Sequence, residues 1–275
     1  MLSITADNAA STTLEMNLLF AKYQGTGNDF VMIDNRSGEW DNLSVPAIQT
    51  ICDRRFGVGA DGLIKISAHP NLDFEMDYYN ADGSKSFCGN GARCSVAFAQ
   101  SLGMNTLNTH FMAIDGEHEA NQKEEAIALL IKDVSLVEMA GQDYLIHTGS
   151  PHYIRFVEEV AVVNVLEEGR AVRYAERYAE EGINVNFVAE AGHEKIGVRT
   201  YERGVEDETL SCGTGVTAAA LAYALKNDLR GQQLIDVATK GGPLKVDFSR
   251  TGESEFERIY LIGPAERVFE GQIQL

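Results

Sequence analysis

The chain has 275 residues, of which 44% are apolar and 23% charged, a composition typical of a folded protein with room for two domains. Its formal net charge of −18 disfavours a nucleic-acid partner, because such partners require clustered Lys and Arg. No apolar run reaches about 18 residues and no signal peptide is evident, so we expect no membrane span and a cytoplasmic location.

The first half of the chain begins with residues 1–15, which lack periodicity and are expected to form a flexible extension. Alternating apolar and polar residues then predict short strands at 18–23, 30–34, 63–66, 72–79, 111–114 and 126–134. The last two are expected to form a hairpin, with a turn at Asp115 and Gly116 after the strand at 111–114. Residues 45–54 are predicted to be helical, with Cys52 on the apolar face as a buried thiol.

A glycine-rich turn, Gln24-Gly25-Thr26-Gly27-Asn28-Asp29, separates the first two predicted strands. No helix follows it, so it is not a dinucleotide-binding fingerprint. A β-hairpin with a bulge explains the turn without any function. Asn28 and Asp29 at its tip are nevertheless candidates for a site.

The second half continues the mostly β pattern. Strands are predicted at 143–147, 153–157, 183–189, 196–201, 234–239, 244–248 and 256–262, and residues 267–275 are expected to be a tail. Residues 171–181 are predicted to form a surface helix that ends at Gly182.

One motif occurs twice, as Phe87-Cys88-Gly89-Asn90-Gly91-Ala92 and as Ser211-Cys212-Gly213-Thr214-Gly215-Val216. Each copy precedes an apolar segment expected to be helical, at 92–102 and 216–225, and each follows a β-like segment. The repetition predicts an α+β protein of two related halves whose cysteines meet in one site. Alone, either cysteine would be interpreted as a buried structural thiol or a helix cap.

A helix N-terminus binds carboxylates, and it is expected to lower the pKa of a cysteine placed there from about 8.5 toward neutrality. Two such ends facing each other could hold a small carboxylic acid with a thiol on either face of its α-carbon. One thiolate would then remove the α-proton while the opposite thiol returns one, which inverts the stereocentre. The four cysteines contain no Cys-x-x-Cys pair and the six histidines are scattered, so no metal site is expected.

Several motifs together resemble diaminopimelate epimerase: Gly27-Asn28-Asp29-Phe30, Asn80-Ala81-Asp82-Gly83, Cys88-Gly89-Asn90-Gly91-Ala92-Arg93-Cys94, Gly149-Ser150-Pro151-His152, Tyr201-Glu202-Arg203-Gly204 and Cys212-Gly213-Thr214-Gly215. The resemblance covers residues 18–275. It implies an enzyme that interconverts LL- and meso-2,6-diaminopimelate for lysine and peptidoglycan synthesis without a cofactor. It also implies two pseudo-symmetric domains, each a barrel-like, mostly antiparallel sheet around a central helix, with the active site in the cleft between them.

Domain bounds and site residues follow from the same resemblance. Residues 16–133 with 266–275 would form the domain that carries Cys88, and residues 134–265 would form the domain that carries Cys212. Members of this family are often homodimers, so a homodimer is a possible assembly for this chain. The two cysteines would be the catalytic acid–base pair. The remaining expected site residues comprise the helix-end clamp for the reacting carboxylate (Gly89, Asn90, Gly213, Thr214), the group that binds the distal amino-acid head (Asn28, Asn80, Asn184, Glu202, Arg203) and two supporting residues (Ser150, His152).

Simpler interpretations remain open for several of these positions. Asn28 and Asn80 are also typical turn residues, Arg203 could be a solvated turn residue, and His152 could serve packing alone. A proline or hydroxyproline racemase of similar fold would need only one carboxylate site. A non-enzymatic thiol switch would not need two carboxylate-binding helix ends.

Three positions depart from the family pattern. Ser150 stands where many members have Asn, and Gly62 where some place a Gln that contacts the substrate. Phe269 stands where a Tyr can serve the dimer interface. These differences concern two substrate contacts and the dimer interface, not the two-thiol chemistry.

Overall fold

The computed structural model describes residues 17–104, 107–123 and 125–275, so the extension predicted at 1–15 lies outside it. The strands of the first half, and the last strand of the chain, are β1 (Asn17–Gly25), β2 (Asn28–Asp34), β3 (Gly62–Ser67), β4 (Phe74–Asn80), β5 (Asn108–Ala113), β6 (Gly116–Lys123), β7 (Ala126–Ile131) and β17 (Glu266–Gln274). The strands of the second half are β8 (Val137–Ala140), β9 (Asp143–His147), β10 (Pro151–Phe156), β11 (Asn184–Gly192), β12 (Lys195–Glu202), β13 (Asp207–Thr209), β14 (Gly231–Thr239), β15 (Gly242–Arg250) and β16 (Phe256–Gly263).

The α-helices of the described residues are α1 (Val45–Cys52), α2 (Gly89–Ser101), α3 (Val165–Arg173) and α4 (Gly213–Lys226). Ser44 caps α1 by accepting a hydrogen bond from the backbone N–H of Ala47 at 3.3 Å. None of these helices combines the length and apolar character that a membrane crossing would require.

The strand pairings repeat in the two halves. In the first, β1–β2 is antiparallel, β2–β3 parallel across α1, β3–β4 antiparallel, β4–β5 parallel across α2, and β5–β6 and β6–β7 antiparallel. The second follows the same sequence of directions from β9 through β16, with α3 and α4 in the two parallel crossovers. The predicted α+β class with two pseudo-symmetric halves is therefore confirmed.

Two further pairings link the ends of the repeats. Strand β7 pairs antiparallel with β16, which joins the two halves into one run of hydrogen-bonded strands. Strand β17 returns to the first half and pairs with β1, with Asn17 opposite Gln274. The expected tail at 267–275 was therefore wrong, because the free edge of β1 supplies a partner that local sequence does not reveal.

Each half wraps its sheet around one central helix. Every residue of α4 from Gly215 to Ala224 is buried, as expected of a helix enclosed by strands. Helix α2 buries Ala92, Cys94, Val96 and Phe98 in the same core cluster. Cys52 is buried on α1 in a separate cluster with Ile48 and Ile51, as predicted.

The helix predicted at 171–181 was misplaced. The structure forms α3 at Val165–Arg173, and residues 174–182 are turns. Asn164 caps α3, because its side-chain oxygen accepts a hydrogen bond from the backbone N–H of Glu167. In return, the Asn164 amide nitrogen donates a hydrogen bond to the Glu167 carboxylate at 2.9 Å. Gly169 lies against the Tyr201 side chain, and no larger residue would fit there. This capping pair was the local signal that the prediction overlooked.

The hairpin predicted between the strands at 111–114 and 126–134 was also wrong. Strand β5 instead pairs with β6 through the turn at Asp115, and β6 then pairs with β7. The polar sequence of β6, from Gly116 to Lys123, concealed this middle strand.

Candidate active site

Cys88 and Cys212 occupy the same position in the two halves, immediately before α2 and α4. Both are helix N-cap residues with extended backbone, at φ −136° and ψ 116° for Cys88 and φ −114° and ψ 109° for Cys212. The helices begin at Gly89 and Gly213, about one turn earlier than predicted. The glycine motifs therefore form the first helical turns, whose N–H groups have no partner within the helix.

Both cysteines line one cavity of about 710 Å³ between the halves. Of the predicted site residues, this cavity is also lined by Asn28, Gly89, Asn90, Ser150, Asn184, Glu202, Arg203, Gly213 and Thr214. A second cavity of about 820 Å³ shares Asn28, Cys88 and Glu202 with the first and is also lined by Asn80. His152 lines neither cavity and lies buried behind Thr214.

The pKa values of the two thiols do not follow the sequence-based expectation. Burial raises the pKa of Cys88, against the opposing effect of the backbone N–H groups of Gly91 and Asn90. Burial likewise raises the pKa of Cys212 to about 12, and the nearby Glu202 carboxylate adds to the increase. The expected shift toward neutrality was therefore wrong for the free protein, because desolvation outweighs the helix-end effect.

Arg203, Asn184 and Ser150 form a connected polar group on the second half. The Asn184 amide donates to Ser150 Oγ at 2.9 Å, and its oxygen accepts from the Arg203 backbone N–H at 2.9 Å. Arg203 Nη2 lies 3.3 Å from Ser150 Oγ. Gly182, predicted to cap a helix, instead has φ +74° beside Arg203, where a Cβ would lie 2.7 Å from Cδ of that arginine.

Glu202 is an acidic residue of the cleft. Burial raises its pKa, while a hydrogen bond from the Thr209 hydroxyl at 2.8 Å acts in the opposite direction. It is the one carboxylate that lines both cavities among the described residues.

The side chain of Asn90 joins the two halves. Its amide nitrogen donates to Asn28 Oδ1 at 2.8 Å and to the carbonyl oxygen of Ser211, the residue before Cys212, at 3.3 Å. Asn28 donates in turn to Asp61 Oδ2 at 2.7 Å. These bonds fix both amide orientations and tie the first turn of α2 to the segment that leads into α4. The turn at Thr26 and Gly27 is a two-residue hairpin in which both residues have positive φ.

Comparison with known proteins decides the family. A family model described as diaminopimelate epimerase matches residues 20–136 and 144–268. The diaminopimelate epimerase of Flavobacterium psychrophilum is 46% identical over 254 residues, which cover 92% of this chain and 98% of the relative. That of Chlorobaculum tepidum is 40% identical, covering 91% and 99%. This chain belongs to the diaminopimelate epimerase family.

Solved structures with low sequence identity share the fold of this family member. A PhzF-family phenazine biosynthesis protein from Bacillus anthracis matches with a TM-score of 0.74 at 14% identity, covering 94% of this chain and all of that chain. A hydroxyproline epimerase from Agrobacterium vitis matches with a TM-score of 0.64 at 12% identity, covering 94% and 91%. The proline-type alternative thus shares the fold, whereas the high-identity relatives are diaminopimelate epimerases.

In this member of the diaminopimelate epimerase family, His152 is linked to Cys212 through Thr214. The Asn186 amide nitrogen donates to the Tyr153 carbonyl oxygen at 3.3 Å and lies 3.1 Å from His152 Nδ1, so Nδ1 accepts. Burial lowers the pKa of His152 to about 3, which keeps the ring neutral and leaves the proton on Nε2. Nε2 donates to Thr214 Oγ1 at 2.8 Å, and this hydroxyl lies 3.5 Å from Cys212 Sγ.

Tyr78 fills the space beside Gly62, where some members of the diaminopimelate epimerase family place Gln. A Cβ on Gly62 would lie 2.5 Å from Tyr78 Cε2. The Tyr78 hydroxyl donates to Asn80 Oδ1 at 2.9 Å, and the Asn80 amide nitrogen donates to the Ser84 and Ser86 hydroxyls. The Asn80 side chain is therefore fixed by neighbouring protein groups.

Sequence reasoning missed Asp61, Tyr78 and Asn186. Asp61 lies in a further glycine-rich turn, at residues 57–62, and Tyr78 lies two residues before the Asn80 turn, so the position of each was a local signal. Asn186 lies two residues after Asn184 in β11, which was its local signal, but its contact with His152 follows only from the parallel pairing of β10 and β11.

Proposed function

We propose that Cys88 and Cys212 are the acid–base pair with which this chain interconverts LL- and meso-2,6-diaminopimelate. The observation that carries the proposal is that both thiols, each at the N-terminus of a pseudo-equivalent helix, line the same cavity of about 710 Å³. Acid, base and charge stabilisation then all come from the protein, so the reaction requires no cofactor. The need for two reduced thiols supports a cytoplasmic location.

The chemistry balances without any other reactant. One cysteine, as thiolate, removes the proton from the α-carbon, and the electron pair left behind delocalises into the adjacent carboxylate. The opposite thiol donates its proton to the other face of the carbon, which inverts the centre and leaves that cysteine as the thiolate. Because burial raises the pKa of both thiols, each thiolate is a stronger base once it forms.

The two helix ends would hold the reacting carboxylate. The first-turn N–H groups of Gly89 and Asn90 on one side, and of Gly213 and Thr214 on the other, are the available donors. Negative charge that develops on the carboxylate during proton removal is stabilised by these prearranged dipoles, more strongly in a buried cleft than in water.

The polar group around Arg203 would bind the distal amino-acid head. The Arg203 guanidinium, Asn184 and Ser150 suit a carboxylate, and Glu202 suits an ammonium group. Asn28 and Asn80 would complete this group from the first half. A substrate with a single carboxylate would leave the Arg203 guanidinium and the Glu202 carboxylate without a charged partner, which disfavours the proline-type alternative.

We further propose that residues 16–133 with 266–275, and residues 134–265, act as two domains that close over the substrate. Asn90 supports this division, since its amide bridges Asn28 in the first and Ser211 in the second.

The decisive experiment measures hydrogen exchange at the α-carbon. Reduced, purified protein in D₂O should incorporate deuterium into diaminopimelate and equilibrate the LL and meso forms without pyridoxal phosphate or added metal. Proline serves as the control substrate. Exchange with proline and none with diaminopimelate would reverse the assignment.

The cysteine roles are tested by the Cys88→Ala and Cys212→Ala variants. Each should reduce epimerisation by at least about 10²- to 10⁴-fold, because each removes one of the two proton-transfer groups. Cys52→Ala is the matched control, since Cys52 lies in a separate core cluster. Two single variants with wild-type activity would contradict the two-thiol mechanism.

A further inference from the structure

Two arginines are buried in this fold, and they differ in how their charge is satisfied. Arg250 donates to the carbonyl oxygens of Ala224, Leu229 and Glu253 and forms an ion pair with Asp228 at 3.4 Å. Arg93 has no exposed surface, and its Nε and Nη1 atoms have no hydrogen-bond partner. No carboxylate among the described residues forms an ion pair with Arg93.

Within the described part of the chain, the hydrogen bonds of the Arg93 guanidinium all lead toward the active site. Nη2 donates to Asn90 Oδ1 at 3.0 Å and to Thr26 Oγ1 at 3.2 Å. Asn90 lines the catalytic cavity, and its amide nitrogen faces Asn28 and Ser211. The guanidinium therefore lies directly behind the first turn of α2.

Three segments close around this charge. A Cβ on Gly263, at the end of β16, would lie 3.2 Å from Arg93 Nε, and one on Gly25 of β1 would lie 3.7 Å from Nη2. Helix α2 supplies the third side. The guanidinium thus lies at the junction of the two halves, away from solvent.

An isolated charge in such a position is costly unless an anion offsets it. Arginine cannot avoid the cost by losing its proton in the range in which proteins function. The anions that the chemistry brings to this junction are the Cys88 thiolate and the substrate carboxylate at the start of α2.

We propose that Arg93 is an electrostatic positioning residue whose unpaired guanidinium charge stabilises the Cys88 thiolate and, through Asn90, the first helical turn that receives the carboxylate. It touches neither group. In the free protein the charge lacks a carboxylate partner, and thiolate formation or substrate binding supplies the missing negative charge. The inference rests on the proposed role of Cys88, but the property it predicts is measured without substrate.

The other titratable groups near the thiols act against Arg93. Glu202 on β12 raises the pKa of both Cys88 and Cys212, and burial raises the pKa of the Cys94 thiol on α2 to about 12, which keeps that thiol neutral. Tyr78 on β4 is neutral, because burial raises its pKa. The Arg93 guanidinium lowers the pKa of Cys88, so its removal would leave only the backbone N–H groups of Gly91 and Asn90 to oppose burial and Glu202.

The experiment compares Arg93→Gln, which keeps hydrogen-bond donors but loses the charge, with Arg93→Lys, which keeps the charge but loses the forked geometry. The rate of Cys88 alkylation by iodoacetamide is followed against pH by peptide mapping. A unit charge about 10 Å away, at an effective dielectric constant of about 20, shifts a pKa by about one unit. R93Q should raise the Cys88 pKa by about that amount and lower kcat/KM about 10-fold or more at neutral pH.

R93K should keep the Cys88 pKa within a few tenths of a unit of the wild-type value and retain most of the activity. Arg250→Gln is the matched control: it should lower thermal stability without shifting the Cys88 pKa. A folded R93Q protein with the wild-type thiol pKa would overturn the proposal, and so would a folded R93K protein that behaves like R93Q. If R93Q does not fold, a folded R93K protein with the Cys88 pKa within a few tenths of a unit of the wild-type value supports the proposal, and one with that pKa raised by about one unit overturns it. A wild-type protein that fails to epimerise diaminopimelate would refute the proposed function but leave this pKa comparison intact.

Discussion

The Nε2 atom of His152 lies 2.8 Å from the hydroxyl oxygen of Thr214, which in turn lies 3.5 Å from the sulfur of Cys212. Since the imidazole is neutral and donates through Nε2, the Thr214 hydroxyl hydrogen is free to point at the sulfur. The Thr214 hydroxyl can thus donate a hydrogen bond to the Cys212 sulfur, which stabilises the thiolate form of this cysteine. Cys88 has no equivalent side-chain donor among its described hydrogen bonds, so the two thiols are not equivalent.

Thr214→Val should therefore impair the Cys212 half of the reaction. Loss of the hydroxyl removes a hydrogen bond to the thiolate, which corresponds to about a 10- to 100-fold loss of kcat. Thr214→Ser should keep most activity. Thr217→Val, which removes another buried hydroxyl from the same helix, is the control. Steady-state rates in both directions are the measurement, and equal rates for T214V and T217V would contradict the prediction.

His152 should make the fold sensitive to acid. Its folded-state pKa is lowered to about 3, whereas an unfolded histidine titrates near 6.5. The unfolded chain therefore binds the extra proton first as pH falls. Neutral His152 therefore makes its full contribution to the free energy of unfolding above about pH 6.5. As the pH falls from there toward 3, that free energy decreases by roughly 1.4 kcal/mol per pH unit. Urea unfolding between pH 4 and 8 should show a shallower dependence in His152→Gln than in the wild type, and parallel curves would disprove the assignment.

Oxidation should inactivate the enzyme through one disulfide. Cys88 and Cys212 line the same cavity, while Cys52 and Cys94 are buried in different clusters with their pKa raised to about 11 and about 12 by burial. Diamide treatment should join Cys88 to Cys212, and a reductant should restore activity. Peptide mapping under non-reducing conditions identifies the bridge. A Cys52–Cys94 bridge would conflict with the site geometry.

A second copy of the chain is the expected partner of the exposed apolar residues on β1 and β17. Leu19, Val268 and Phe269 are 69%, 57% and 46% exposed, and the Phe269 ring packs edge-on against Phe20 at 5.9 Å. Phe269→Asp should convert a dimer to a monomer in light scattering coupled to size exclusion. Leu234→Asp, at a residue of similar exposure on β14, should leave the oligomer unchanged. A monomeric wild type would refute the prediction.

Much of the architecture was readable from local pattern. The two Cys-Gly-x-Gly motifs ahead of apolar segments predicted both central helices, and alternation predicted most strands. The errors at 171–181 and 267–275 have different causes, one local and one long-range. Helix α3 required recognition of the cap at Asn164, and β17 required the distant edge of β1.

The sequence by itself determined that two thiols stand in matching motifs at two helix ends, because a cap, a glycine turn and an apolar helix are local features. Only the tertiary structure decided the electrostatics of those thiols. Burial is a property of the whole fold, and it reversed the expected pKa shift of Cys88 and Cys212. The unpaired charge of Arg93 and the orientation of His152 likewise arise where distant segments meet, which no local pattern encodes.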